Sequence, residues 1–256
     1  MSELTDRDYV GPKGLRVRGT VLVVPGRGET PHSYVRFAAR LAADAYRVRV
    51  LDAPALDGSL DGLTAQITEA ITAIEAAGPL VAPLVLVGSD SGAATVAALV
   101  ARNEPTAAWW PRAVALAALP AYGTPDGGAQ GWEEELDART ACPAHRAVLS
   151  DDEQVQRGTL ATPVPAELLD AAYGSTADLP HLLLTGELDS YGDHEALARL
   201  AKGLPRARLA VVRGAHHDVL NDLQHRSVAA EVVSFLEALR DESALAPIVR
   251  VESSAW

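Results

Sequence analysis

The chain has 256 residues, 48% of them apolar, which is enough to bury one sizeable core as a single domain over 1–256. Its 34 acidic against 22 basic residues give a net charge of −12, the wrong sign for a nucleic-acid or anionic-membrane partner. Cys142 is the sole cysteine, which excludes an intrachain disulfide and suits a reducing compartment. The first eight residues lack the basic-then-apolar order of a signal peptide, and the apolar run 113–119 is too short to span a bilayer. The expectation is a cytoplasmic protein acting on a small molecule, with its oligomeric state open.

Along the chain, short β-branched runs alternate with alanine-rich helical stretches, the pattern of a parallel sheet covered on both faces. Leu15 and Val17 alternate with Arg16 and Arg18, which predicts an extra antiparallel strand or hairpin. A strand at 20–24 is followed by a helix over 34–43, a strand at 47–51, a helix over 63–77, a strand at 84–87 and a helix over 92–102. A strand at 113–118 comes next. The segment 120–179 then breaks the rhythm and is too long for a simple connection, so it reads as a small cap inserted into the domain. The alternation resumes with a strand at 181–185, a helix over 195–204, a strand at 209–212 and a helix over 228–239. Apolar residues recur in these helices at three- and four-residue spacing, as in Ile67, Ile71 and Ile74. Within the irregular stretches, Trp109-Trp110 reads as packing at a helix-to-strand junction.

Four sites carry chemistry. Gly88-Ser89-Asp90-Ser91-Gly92 lies between a strand and a helix, and its two glycines permit a tight, strained turn. Val23-Val24-Pro25-Gly26-Arg27-Gly28-Glu29 is a strand running into a glycine-rich loop that can aim a backbone N–H at the site. Asp189, in Gly186-Glu187-Leu188-Asp189, stands just past a strand end, at the sheet edge where ligands bind in α/β folds. Asp193, just before a helix, is the better cap. His216-His217-Asp218 follows the last strand, where a general base belongs. Their adjacent side chains point apart on an extended chain, so no metal site is expected there, and no cofactor is implied.

In this order the four sites resemble those of the α/β-hydrolases, over about residues 20–239. Pro25-Gly26-Arg27-Gly28-Glu29 resembles the H-G-x-G-E loop of monoglyceride-lipase-like members, with Pro25 in place of the histidine. Gly214 to Asp222 resembles their G-x-x-H-E-x-x-N-E segment, and Gly186 to Asp189 their G-x-x-D. The resemblance implies a mostly parallel sheet covered by helices, with a small cap. It implies a nucleophile, His217 as base and Asp189 as orienting acid. The backbone N–H groups of Arg27 and Ser91 would form the oxyanion hole.

The usual register, G-x-S-x-G, puts Asp90 where the family has serine. Aspartate nucleophiles occur in epoxide hydrolases and haloalkane dehalogenases, where an ester forms and a His-activated water cleaves it. Those members carry an H-G-x-P loop, and the dehalogenases often have Trp after the aspartate; here these are Pro-Gly-Arg-Gly and Ser91. A register one residue later makes Ser91 the nucleophile of an esterase or lipase. In a third reading Asp90 blocks acyl chemistry, leaving a cyclase, a lyase or a binding protein. Tyr122 and Tyr173 in the cap and Glu29 in the loop are the expected substrate contacts, the tyrosines as proton donors to an opening oxygen, with Trp109, Trp110 and Trp132 as further candidates for the pocket lining.

Overall fold

The computed structural model describes residues 7–102, 109–123, 128–129, 131–241, 245–249 and 252–253. Seven strands form one sheet: β1 (Asp8–Tyr9), β2 (Gly19–Val24), β3 (Tyr46–Val50), β4 (Leu84–Ser89), β5 (Ala113–Ala117), β6 (His181–Gly186) and β7 (Ala207–Val212). Their order is β1-β3-β2-β4-β5-β6-β7, with β1 antiparallel and the rest parallel. The helices are α1 (Val35–Ala43), α2 (Asp61–Ala77), α3 (Ser91–Ala101), α4 (Trp132–Arg139), α5 (Pro143–Asp151), α6 (Ala166–Tyr173), α7 (His194–Gly203) and α8 (His225–Arg240). Among the described residues, no helix is long and apolar enough to cross a membrane.

Every residue of β2, β4, β5 and β6 is buried, so these strands need cover on both faces. The two-residue alternation of a strand divides them between two cores. Leu22, Leu86, Leu116 and Leu183 face α2, α3, α6 and α7. Val21, Val23, Val85, Val87, Ala115, Leu182 and Leu184 face α1 and α8. Burying each of these leucines contributes roughly 1.5–3 kcal/mol. The parallel register brings Val24 beside Gly88, and Ser89 beside Ala117. The loops after β2, β4, β6 and β7 therefore emerge at one edge of the sheet, where the site lies.

The edge departs from the sequence reading. Residues 15–17 form no strand, and Leu15 is exposed. Arg18 is instead drawn to α8, where its Nε–H donates to Glu237 Oε1 at 2.8 Å. The antiparallel strand is β1, whose two residues pair with β3 and are too few to show a period. The segment between β5 and β6 also divides. Leu136, Leu149 and Val155 make a small separate cluster with Trp132. Leu168, Leu169 and Ala172 of α6 belong to the sheet's own helical layer. Trp109 is buried in that layer and donates through Nε1 to Thr68 Oγ1 at 3.1 Å.

Candidate active site

The turn between β4 and α3 is strained at one residue. Asp90 has φ 49° and ψ −120°, a conformation that costs a non-glycine residue about 1–3 kcal/mol. It is over-determined by its surroundings: the Asp90 N–H donates to Ala117 O at 2.9 Å, and its carbonyl accepts from the Ala94 N–H at 3.0 Å. The flanking glycines are there for want of space. A Cβ on Gly88 would lie 2.6 Å from Ala93 Cα, and one on Gly92 would lie 2.3 Å from Val24 O. Asp90 thus holds the apex of the turn. Ser91 is the first residue of α3, fully buried, and its Oγ has no hydrogen-bond partner.

Three side chains from three sheet-edge loops converge at this apex. His217 Nε2 is 3.1 Å from Asp90 Oδ1, and its Nδ1 is 2.8 Å from Asp189 Oδ1. Asp189 is itself fixed, because the N–H groups of Tyr191 and Gly192 donate to the same oxygen at 2.9 and 3.2 Å. The Tyr191 ring stands 5.6 Å from the His217 ring. The Arg27 N–H donates to Asp90 Oδ2 at 2.8 Å, so the glycine-rich loop does aim a backbone donor at the apex. His216 goes elsewhere, to Asp222 Oδ2 at 3.0 Å, and Asp218 goes to His145 Nε2 at 3.0 Å. The side chains of the three neighbours 216, 217 and 218 therefore turn to different partners.

A family model described as serine aminopeptidase, S33, matches residues 16–224. The chain belongs to that family of α/β-hydrolases. Its fold is shared with solved structures of low sequence identity. The monoacylglycerol lipase of Paleococcus ferrophilus superposes with a TM-score of 0.70 at 18% identity, over 91% of this chain and 97% of that one. A soluble variant of monoglyceride lipase from Saccharomyces cerevisiae gives 0.71 at 15%, over 91% and 90%. The enol-lactonase from Burkholderia xenovorans LB400 gives 0.66 at 18%, over 90% and 95%. No match was found among curated proteins.

In this hydrolase the centre is charged and sealed. Burial works against ionising Asp90, but the Arg27 guanidinium and the His217 hydrogen bond outweigh it and hold the carboxyl well below its ordinary range. Burial likewise opposes a charge on His217, yet Asp189 and Asp90 overcome it and push the imidazole up to about 10. Burial would raise Asp189, and the His217 charge lowers it instead. The resting centre is an imidazolium between two carboxylates, with a guanidinium against the first. Two positive charges meet two negative ones in a space closed to water: Asp90 is 1% exposed and Arg27 3%.

The Arg27 side chain is what sequence reasoning missed, having assigned that residue a backbone role only. Its Nη2 donates to Asp90 Oδ1 at 2.7 Å and its Nε to Oδ2 at 2.9 Å. Nη1 donates to Leu160 O at 3.1 Å and to Thr162 O. The available signal was an arginine in the glycine-rich loop of a chain with a carboxylate at the strand-to-helix turn. Arg139 was missed as well. It is buried, donates through Nη2 to Arg27 O at 2.8 Å and through Nε to Glu135 Oε1 at 3.1 Å, and so orients the Arg27 peptide.

The expected substrate contacts lie on separate elements. The Tyr122 hydroxyl donates to Asp170 Oδ1 at 2.7 Å, and the Tyr173 hydroxyl to Pro120 O at 3.0 Å. Their rings stack at 5.8 Å, and neither hydroxyl is bonded to Asp90 or His217. Trp132 lies under the Arg157 guanidinium, 4.9 Å from its carbon. Glu29 borders a cavity of about 420 Å³. Its buried carboxyl is tied to the Gly26 N–H at 3.0 Å and to the Tyr34 hydroxyl. Burial, reinforced by Asp218 and opposed by Arg139, raises Glu29 to about 8. Donor atoms of Glu29, His145 and Asp218 lie within 4.8 Å of one another, a spacing that could hold a metal ion. Arg139 Nη1, 3.5 Å from Asp218 Oδ1, already supplies positive charge there.

Proposed function

We propose that this hydrolase works through a covalent ester on Asp90, formed by attack on an sp³ carbon of an epoxide or alkyl-halide type. The observation that carries this reading is the contact of His217 Nε2 with the carboxylate at the strained apex, while the Ser91 hydroxyl has no partner. Asp90 is ionised and needs no base. Its oxygen bonds to the carbon, and the carbon–oxygen or carbon–halogen bond breaks with the electron pair leaving. An alkoxide so formed takes its proton from the His217 imidazolium. With a halide, esterification removes the Asp90 charge that helped hold that proton, and the proton passes to solvent; by either route His217 becomes a neutral base. It then takes a proton from water, and the hydroxide adds to the Asp90 ester carbonyl. The oxyanion develops where the Arg27 N–H already meets Oδ2. Collapse expels the alcohol, protonated by His217, and proton transfer from Asp90 to His217 restores the ion pair.

The lipase and lactonase names among the structural neighbours favour a second reading, acyl transfer through Ser91. Peptide mapping separates the two, with styrene oxide and glycidic acid applied to the His217→Gln protein and a fluorophosphonate applied to the unaltered chain. The Asp90 reading expects an epoxide-derived ester on residue 90, loss of turnover in Asp90→Asn, and most activity kept in Ser91→Ala. A phosphonylated Ser91, with a dead Ser91→Ala and a fully active Asp90→Asn, overturns it.

A further inference from the structure

The guanidinium of Arg27 covers the carboxylate that should attack. Oδ1 of Asp90 meets Arg27 Nη2 at 2.7 Å and His217 Nε2 at 3.1 Å; Oδ2 meets the Arg27 N–H at 2.8 Å and Nε at 2.9 Å. A carboxylate with both oxygens engaged by charged donors has little lone-pair density left for an electrophile. Arg27 also forms part of the wall of the cavity of about 420 Å³, which Gln154, Gln156, Thr159 and Thr162 help to line. Asp90 and His217 do not reach that wall. The arginine thus stands between the space a ligand can fill and the group that would react with it.

Displacing it is a question of charge. The other partners of the guanidinium, Leu160 O and Thr162 O, are neutral carbonyls. Turned away from Asp90, Arg27 would be a buried cation without an anion. Its neighbour Glu29 is already bonded to the Gly26 N–H and the Tyr34 hydroxyl, and Glu135 to Arg139 and the Gly158 N–H. A neutral ligand leaves the displaced cation uncompensated. A carboxylate replaces its partner like for like, because the two oxygens match the guanidinium fork.

We propose that the cavity admits a small organic acid whose carboxylate takes Arg27 from Asp90, freeing Asp90 to attack a carbon adjacent to that carboxylate. This rests on the Asp90 reading. The reacting carbon and the recognised anion then belong to one compact molecule, such as an α-halo acid or an epoxy acid. With bromoacetate, an Asp90 oxygen bonds to the methylene carbon, the carbon–bromine bond breaks, and bromide leaves with the electron pair; no proton moves.

Bromoacetate and its neutral analogue bromoacetamide provide the test, at equal concentration, in the His217→Gln protein, where an Asp90 ester should persist. Adducts are located by peptide mapping, which separates residue 90 from Cys142. Bromoacetate is expected to modify Asp90 at least about tenfold faster. Adding Arg27→Gln should remove the preference, with bromoacetamide labelling accelerated by about tenfold and the two rates within about twofold. Bromide release by the unaltered chain, again at least about tenfold faster from the acid, decides the matter should either variant fail to fold. Asp90 labelling at equal rates with Arg27 intact, or bromide release at equal rates by the unaltered chain, overturns the acid proposal and leaves the Asp90 reading standing. No Asp90 adduct from either reagent, with or without Arg27, together with no bromide release by the unaltered chain, overturns the Asp90 reading itself.

Discussion

Raising the pH from 6 to 10 should unfold this protein more easily, and most of the change should trace to His217. Its folded pKa is about 10 against an ordinary value of 6.5. A group whose pKa is raised on folding stabilises the fold fully below the unfolded value, and that contribution is lost as pH climbs toward the folded value. The window is therefore about pH 6.5 to 10. At about 1.4 kcal/mol per pH unit, the full gap is worth on the order of 5 kcal/mol. That is a large part of the roughly 5–15 kcal/mol by which domains are stable. Urea unfolding followed by circular dichroism at pH 6.5, 7.5, 8.5 and 9.5 measures it, in the unaltered chain and in His217→Gln. The difference in unfolding free energy between the two should shrink steadily across the series. A difference that stays constant from pH 6.5 to 9.5 would show that the imidazole is neutral in the folded state and refute the ion-pair account.

Glu29 gives a second pH signature, in a lower window. Its proton is held to about 8 in the folded chain, so stability falls between roughly pH 4.5 and 8 as the unfolded state ionises first. In Glu29→Gln the same urea series should be flatter over that interval; an unchanged slope contradicts the assignment. Gly92→Ala should be destabilised by about 3 kcal/mol or more, because its Cβ would sit 2.3 and 2.4 Å from the carbonyl oxygens of Val24 and Pro25. A thermal midpoint within a degree or two of the parent would show that the turn relaxes easily.

Much of the architecture was legible in the sequence. Short apolar runs end in Gly/Pro loops, so β2, β4, β6 and β7 could be placed to within two or three residues, and the chemistry-bearing loops with them. The apex of the turn was less legible. Every residue of β4 is buried, so no polar alternation marks where the strand stops, and Asp90 and Ser91 differ by one step of register. Only the backbone dihedrals distinguish them. The Arg27–Asp90 fork was out of reach because the residues are 63 positions apart, and a loop arginine ordinarily reads as solvated. The hydroxyl partners of Tyr122 and Tyr173 were illegible for a related reason: the sequence shows that the two residues lie between β5 and β6, not which way their hydroxyls turn.

The end of α4 touches both loops that build the centre. Ala138 O accepts the His217 N–H at 3.2 Å, Arg139 O accepts the Asp218 N–H at 2.8 Å, and the Arg139 side chain holds Arg27 O at 2.8 Å. For protein engineering this divides the insertion unequally. The segment between β5 and β6 exchanged wholesale, in the manner of a modular part, would take the histidine loop's anchor and the glycine-rich loop's brace away together. A chimera that keeps residues 135–140 from this chain and draws the rest of the insertion from a relative retains both supports.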